Sequence, residues 1–340
     1  MTALLERIID RAEEAQVPFE VMFEVTHRCN LPCAHCYLPD HLDHGELSLP
    51  EIAALFDDLA AAGTFFLTLT GGEILSRRDF REIVDLAYER GFALKLLTNA
   101  TMVTDELAAF FKQRNVLQVS VSLYGASAEV HDGVTGVPGS FERTLAGIDR
   151  LRAHGLKVFL KTVVLTTNVE GARDVHELAR LRDMPCNYEL AISARTDGNT
   201  SPLDLHVNRD RLVELLQQKP FDDLFAVSEH PGPSPCSAGK RYAAIGPTGN
   251  VMGCIMMPAP VGNVRERSFN EIWTTAPFFS ELRALQFEDL HQCRSCDVKA
   301  ACSRCPGSAM TRGQGPDGCD LTAKEVARAR VAAHRLRVIQ

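Results

Sequence analysis

Between residues 19 and about 192 the hydrophobic positions switch repeatedly between two periods. Short β-branched and aromatic runs read FEVMFEVT (19–26), FFLTLT (65–70), FALKLLTN (92–99), VLQVSVSL (116–123), LKVFLKTVVL (156–165) and NYELAIS (187–193). Each suits a strand buried in a sheet. Between them lie stretches of helical period. The first, 48–63, has Ser48 as N-cap, Pro50 in its first turn and Gly63 as its end. Others run over 77–91, from Thr104 to about 114, from Ser140 to His154, and from Asn168 to about 183. The glycine-rich stretch YGASAEVHDGVTGVPG (124–139) reads as a loop. Apolar runs joined by helices predict a parallel sheet with right-handed crossovers. Six such units suit an α/β fold, an open partial (β/α)6 TIM barrel, with its chemistry at the C-terminal ends of the strands.

The pattern divides the chain into five parts. Residues 1–18 read as an N-terminal amphipathic helix, 19–208 as the partial barrel, 209–235 as a bridge, 236–320 as a small cysteine-rich domain and 321–340 as a basic C-terminal helix with a solvated face. The bridge holds a short helix at 209–218 and a Pro/Gly linker, EHPGPSPC. A formal net charge of −8 argues against nucleic-acid binding as the main role. No apolar run approaches the roughly 20 residues that span a bilayer, and the N-terminus has no signal-peptide pattern. A cytoplasmic protein is expected. Its eleven cysteines are then not a disulfide framework. Seven of them follow residue 235, a crowding that favours metal.

Cys29, Cys33 and Cys36 form C-x3-C-x2-C on the loop after the first strand. A structural zinc wants four closed ligands, and no fourth cysteine lies near. Three thiolates suit a [4Fe–4S] cluster with one iron left for a substrate or cofactor. Other unusual residues stand at later strand ends. Gly71-Gly72-Glu73 ends the second strand, where two glycines allow close backbone approach; by itself this is equally a tight turn capped by Glu. Thr98-Asn99 ends the third strand, Ser122 the fourth, and Arg143 follows in the next helix. Lys161 sits inside an apolar strand, where a lysine must line the barrel or pair with an acid. Arg195 and Asp197 follow the sixth strand and would face the substrate opening. Lys161, Arg195 and Asp197 are the candidate catalytic residues. Cys186 opens the sixth strand, away from the chemistry, and reads as a structural thiol.

Near the C-terminus stand Cys236, Cys254, then C-x2-C-x5-C-x2-C at Cys293, Cys296, Cys302 and Cys305, and last Cys319. RYAAIGPTGNVMGC between the first pair reads as a hairpin turning at Gly249. A zinc ribbon separates its knuckles by about 15–20 residues, whereas Cys296 and Cys302 are five residues apart. Two four-iron clusters take eight ligands, so seven cysteines leave one iron open or otherwise held.

The triplet resembles the signature of the radical S-adenosylmethionine (radical SAM) enzymes, and the C-terminal pattern resembles their SPASM extension. In that family the free iron chelates S-adenosylmethionine, whose reductive cleavage yields a 5′-deoxyadenosyl radical that abstracts hydrogen. The resemblance implies three [4Fe–4S] clusters, one radical SAM and two auxiliary. It implies cofactor contacts from Tyr37 to adenine, from Gly71, Gly72 and Glu73 to the methionine amino group, and from Ser122 and Arg143 to its carboxylate, with Thr98 and Asn99 beside them. His35 matches the family's aromatic position. Cys293, Cys296, Cys302 and Cys319 would hold the outer auxiliary cluster; Cys236, Cys254 and Cys305 would hold the inner one. The chain departs from the pattern at Tyr242, where many members carry a further cysteine, and in the two-residue spacing of its last pair. The expected activity is a thioether or carbon–carbon crosslink in a ribosomal peptide, delivered by a separate leader-binding protein, with flavodoxin or ferredoxin as reductant. The alternatives are an epimerase or oxidase of the same superfamily acting on a peptide, sugar or tetrapyrrole, and an iron–sulfur electron-transfer protein without radical chemistry.

Overall fold

A computed structural model describes residues 3–225 and 236–339. Most of the Pro/Gly linker before Cys236 therefore lies outside the described residues. After helix α1 (Ala3–Glu14), strand and helix alternate: β1 (Glu20–Thr26), α2 (Leu49–Ala61), β2 (Phe66–Gly71), α3 (Phe80–Glu89), β3 (Ala93–Thr98), α4 (Asp105–Gln113) and β4 (Gln118–Ser122). Two helices follow, α5 (Ala128–Thr135) and α6 (Ser140–Ala153), then β5 (Val158–Val163), α7 (Ala172–Leu181) and β6 (Cys186–Glu189). The six strands pair in parallel in sequence order, the partial barrel that the alternation predicts. Their apolar side chains, with the inner faces of the flanking helices, make one core that includes Val21, Phe23, Leu67, Leu69, Leu94, Leu96, Val119 and Val121.

The stretch expected as a loop at 124–139 contains α5. Ser127 caps it by accepting from the Val130 N–H, and Gly136 ends it at φ 75°. Both signals are local, but the helix is only two turns long and its glycines mask its period.

Beyond the barrel come α8 (Arg209–Leu216), α9 (Phe221–Leu224), β7 (Tyr242–Ile245), β8 (Asn250–Met252) and β9 (Gly262–Asn263). Helices α10 (Phe269–Thr275), α11 (Pro277–Ala284), α12 (His291–Arg294), α13 (Pro306–Met310) and α14 (Leu321–Ile339) complete the chain. The expected hairpin is β7 and β8, paired antiparallel around Gly249 at φ 88°. The sequence did not show where it docks. β7 lies parallel to β1 in the register Glu20–Tyr242 to Phe23–Ile245, so the sheet continues past the barrel edge in the order β6-β5-β4-β3-β2-β1-β7-β8-β9. Trp273 fastens the same region to the barrel. It is buried, and its indole N–H donates to the Gln16 carbonyl at 2.6 Å.

The C-terminal helix buries a second, apolar face beside its basic one. Val326, Ala329 and Ala333 of α14 pack with Leu212, Leu215 and Leu216 of α8 in a second core. Arg330 donates to the backbone carbonyls of Phe225 and Ala301. Among the described residues no helix is long and apolar enough to cross a membrane.

Candidate active site

A cavity of about 290 Å³ opens at the C-terminal ends of β1 to β5. Cys29, Cys33 and Cys36 line one side of it; Gly71, Gly72, Thr98, Asn99 and Ser122 line the strand-end side. Tyr37, His35, Tyr124, His131, Thr135 and Lys161 close the rest. The cysteine loop owes its position to the second strand. The Gly72 N–H donates to the Thr26 carbonyl at 2.8 Å, and the Glu73 N–H to the Arg28 carbonyl at 2.9 Å. Such contact demands glycine. Gly71 has φ 133°, and a Cβ there would lie 2.0 Å from the Thr26 carbonyl oxygen; at Gly72 it would lie 2.4 Å from that of Arg28.

Glu73 is fully buried and does not line the cavity. Its carboxylate accepts from the Thr98 hydroxyl and the Asn99 N–H, both at 2.7 Å, and from the Leu75 N–H at 3.1 Å. Burial pushes its pKa up, and these three donors oppose that shift. Asn99 in turn donates from Nδ2 to Asn30 Oδ1 at 2.8 Å, joining the third strand end to the cysteine loop. Glu73 and Asn99 thus act as braces of the site's frame.

The three thiols sit in surroundings that oppose a bare thiolate. Burial pushes Cys29 up to about 11 and Cys33 up to about 12. Metal ions would supply the positive charge that lets such thiols ionise. Among the described residues no three His, Cys, Asp or Glu approach closely enough to hold a single metal ion.

Lys161 is exposed rather than buried, because β5 faces the open mouth at this point, and it lines the cavity. Arg195 lies near Cys36: its Nη1 donates to the Pro39 carbonyl at 3.3 Å, and the next residue's N–H donates to the Tyr37 carbonyl at 3.0 Å. The turn after β6 therefore rests on the cysteine loop. Asp197 is exposed, accepts from the Asn199 N–H at 2.9 Å and lines no part of the cavity, so it serves the turn. Arg143 is exposed on α6 and also stands outside the lining. Cys186 is half-buried at the start of β6, 3.8 Å from the Thr162 hydroxyl.

His131, unremarked in the sequence, is brought into the cavity by α5. Its Nδ1 accepts from the Tyr124 N–H at 3.2 Å, so its proton sits on Nε2. That nitrogen is buried without a partner, and burial holds the ring's pKa down to about 4, leaving it neutral. It is a fixed hydrogen-bond donor waiting for an acceptor.

The remaining thiols form two groups. Cys293, Cys296, Cys302 and Cys319 line one small cavity together with Arg304 and Asp320. Cys254 lies within electrostatic reach of Cys236 and Cys305, and the nearby Tyr242 hydroxyl donates to Met22 Sδ at 3.4 Å. Burial pushes Cys254 and Cys302 up to about 12. Ile255, one residue beyond Cys254, lines the barrel cavity, so the hairpin places the inner thiols beside the barrel opening.

The radical SAM superfamily model matches residues 23–181, and the SPASM model, an iron–sulfur cluster-binding domain, matches 236–297. An AdoMet-dependent heme synthase of Methanosarcina barkeri is 31% identical over 322 residues, covering 86% of this chain and 92% of its own. The mycofactocin maturase MftC of Mycobacterium ulcerans is 30% identical over 348 residues, covering 94% of this chain and 92% of its own. Among solved structures, native anSMEcpe with bound AdoMet and Cp18Cys peptide superposes with a TM-score of 0.73 at 14% identity, covering 94% of this chain and 97% of that one. With both family models matched in order and relatives at this identity over nearly their whole length, the chain belongs to the radical SAM enzymes of the SPASM class.

Proposed function

We propose that the chain is a peptide maturase that forms a thioether or carbon–carbon crosslink. The observation that carries this reading is the mycofactocin maturase relative, which aligns along 94% of the chain. A [4Fe–4S] cluster on Cys29, Cys33 and Cys36, with S-adenosylmethionine on its open iron, supplies the 5′-deoxyadenosyl radical when bound. The chain's residues do the rest. Gly71 and Gly72 keep that side of the cavity free of side chains, the Ser122 hydroxyl would offer a polar contact to the cofactor, and the Tyr37 backbone would lie against its adenine. His131 Nε2 would donate to an acceptor on the bound cofactor. Lys161, in the cavity lining, and Arg195, near Cys36, orient substrate. A crosslink removes one hydrogen atom, one proton and one electron from the peptide; Cys236, Cys254 and Cys305, and Cys293, Cys296, Cys302 and Cys319, would hold auxiliary clusters able to take up that electron. A leader-binding protein and a flavodoxin or ferredoxin complete the proposed system.

The test is incubation with a precursor peptide encoded beside this chain's gene, S-adenosylmethionine and a reductant. The expected product is lighter by a pair of hydrogens. An unchanged mass with deuterium gained from solvent would indicate epimerisation instead. The heme synthase relatives favour a second reading, a tetrapyrrole substrate. Turnover of an iron porphyrin with the peptide left intact would decide for it.

His131→Phe keeps an aromatic ring beside Tyr124 but removes the donor. It is expected to weaken S-adenosylmethionine binding about tenfold, the value of one hydrogen bond of about 1.4 kcal/mol, with iron content unchanged. Equilibrium dialysis of the reconstituted protein measures it.

A further inference from the structure

Arg304 lies between Cys302 and Cys305 and is only 7% exposed. Its Nε donates to the Gly318 carbonyl at 3.0 Å, and its Nη2 donates to the carbonyls of Pro316 and Gly318. The guanidinium is therefore strapped in place by the segment leading to Cys319. Its Nη1 is buried with no hydrogen-bond partner. Arg304 lines the same small cavity as Cys293, Cys296, Cys302 and Cys319. A buried guanidinium is costly unless an anion or acceptor meets it. The acid in that lining, Asp320, is already engaged, because its carboxylate accepts from the Cys305 and Ala323 N–H groups and from the Thr322 hydroxyl. Lys299 and Lys324 also line the cavity, so positive charge predominates there. The natural partner for Nη1 is the negative charge of four thiolates and the sulfides they would enclose.

We propose that Arg304 sets the reduction potential of the outer auxiliary cluster, by aiming a fixed positive donor at the group held by Cys293, Cys296, Cys302 and Cys319. The inference rests on the SPASM reading of those four cysteines. A cluster gains negative charge on reduction, and a fixed cation with an N–H directed at its sulfurs stabilises the reduced form more than the oxidised one. The consequence is an outer site that accepts an electron readily. A strap through Nε and Nη2 leaves Nη1 buried and unpaired in a residue that lines the thiol cavity and lies within electrostatic reach of Cys293, and a group held there would supply its acceptor.

The test is an anaerobic redox titration followed by electron paramagnetic resonance on the reconstituted full chain. The Cys29→Ala, Cys33→Ala, Cys36→Ala background removes the overlapping signal of the radical SAM site. Arg304→Gln is expected to shift the outer reduction equilibrium about tenfold toward the oxidised form, about 59 mV for one electron, while the inner potential stays put. Arg304→Lys, which keeps the charge but loses the forked donor, is expected to shift it less, in the same direction. An outer potential equal to the parent's in either variant that loads its iron overturns the proposal. So does loss of the outer irons in both variants, which would make Arg304 a strap only. A parent protein that never holds an outer cluster shows instead that the reading of the four cysteines is wrong.

Discussion

Replacing Cys29, Cys33 and Cys36 together by Ala is expected to abolish release of 5′-deoxyadenosine and to lower iron from about twelve to about eight per chain, four for each cluster lost or kept. The loss should be complete because the three thiols share one cavity and no other cysteine lines it. The other irons should survive because the outer four thiols occupy a separate cavity, and the inner three group around Cys254. The fold should survive too, since burial of these thiols opposes their ionisation and Ala asks for no charge there. Iron and sulfide analysis with a dithionite-driven cleavage assay measures both. A parent protein with only about four irons, or with stoichiometric zinc, would defeat the two-auxiliary-cluster reading.

The second large effect is expected from Gly72→Ala. The methyl would lie 2.4 Å from the Arg28 carbonyl oxygen and 2.5 Å from that of His27, and neither is a side chain that can swing aside. The cysteine loop would have to lift off the second strand, breaking the bonds from Gly72 to Thr26 and from Glu73 to Arg28. A cost of about 3 kcal/mol or more is expected, in the range of overpacking and strained backbone. It should be read as a lower thermal midpoint together with poor iron loading at the first site. Gly133→Ala is the control. Gly133 lies within α5, and a Cβ there meets nothing within 4 Å, so the exchange should stabilise by about 0.5–1 kcal/mol. Equal behaviour of the two variants would show that the close approach at Gly72 does not govern the loop.

What the sequence disclosed was local, and what it hid was not. The six barrel strands, the hairpin at Gly249 and the thiols at Cys29, Cys33 and Cys36 all announce themselves within a few residues. The surroundings of Glu73 were less legible, because its partners Thr98 and Asn99 belong to the next strand end and only the fold shows that they donate to its oxygens. Lys161 looked buried because its neighbours are apolar, yet period alone does not say that a barrel is open at that depth. His131 carried one faint signal, its place four residues after the capping Ser127, which sets it on the inner face of α5. The pairing of β7 with β1 joins residues more than two hundred positions apart, and no periodicity encodes a partner at that range.

That pairing has a consequence for how such chains diversify. The cysteine-rich third is keyed into the barrel edge, with Tyr242 facing Glu20 and Ile245 facing Phe23. A one-residue slip between the two strands would turn Tyr242 to the opposite face and carry Cys254 out of reach of its partners. A chimera that grafts a foreign C-terminal half onto this barrel must therefore preserve the ladder as well as the cysteines. The ladder thus makes β1 part of the C-terminal half's footing, and a transplanted half would keep its register only if β1 travelled with it.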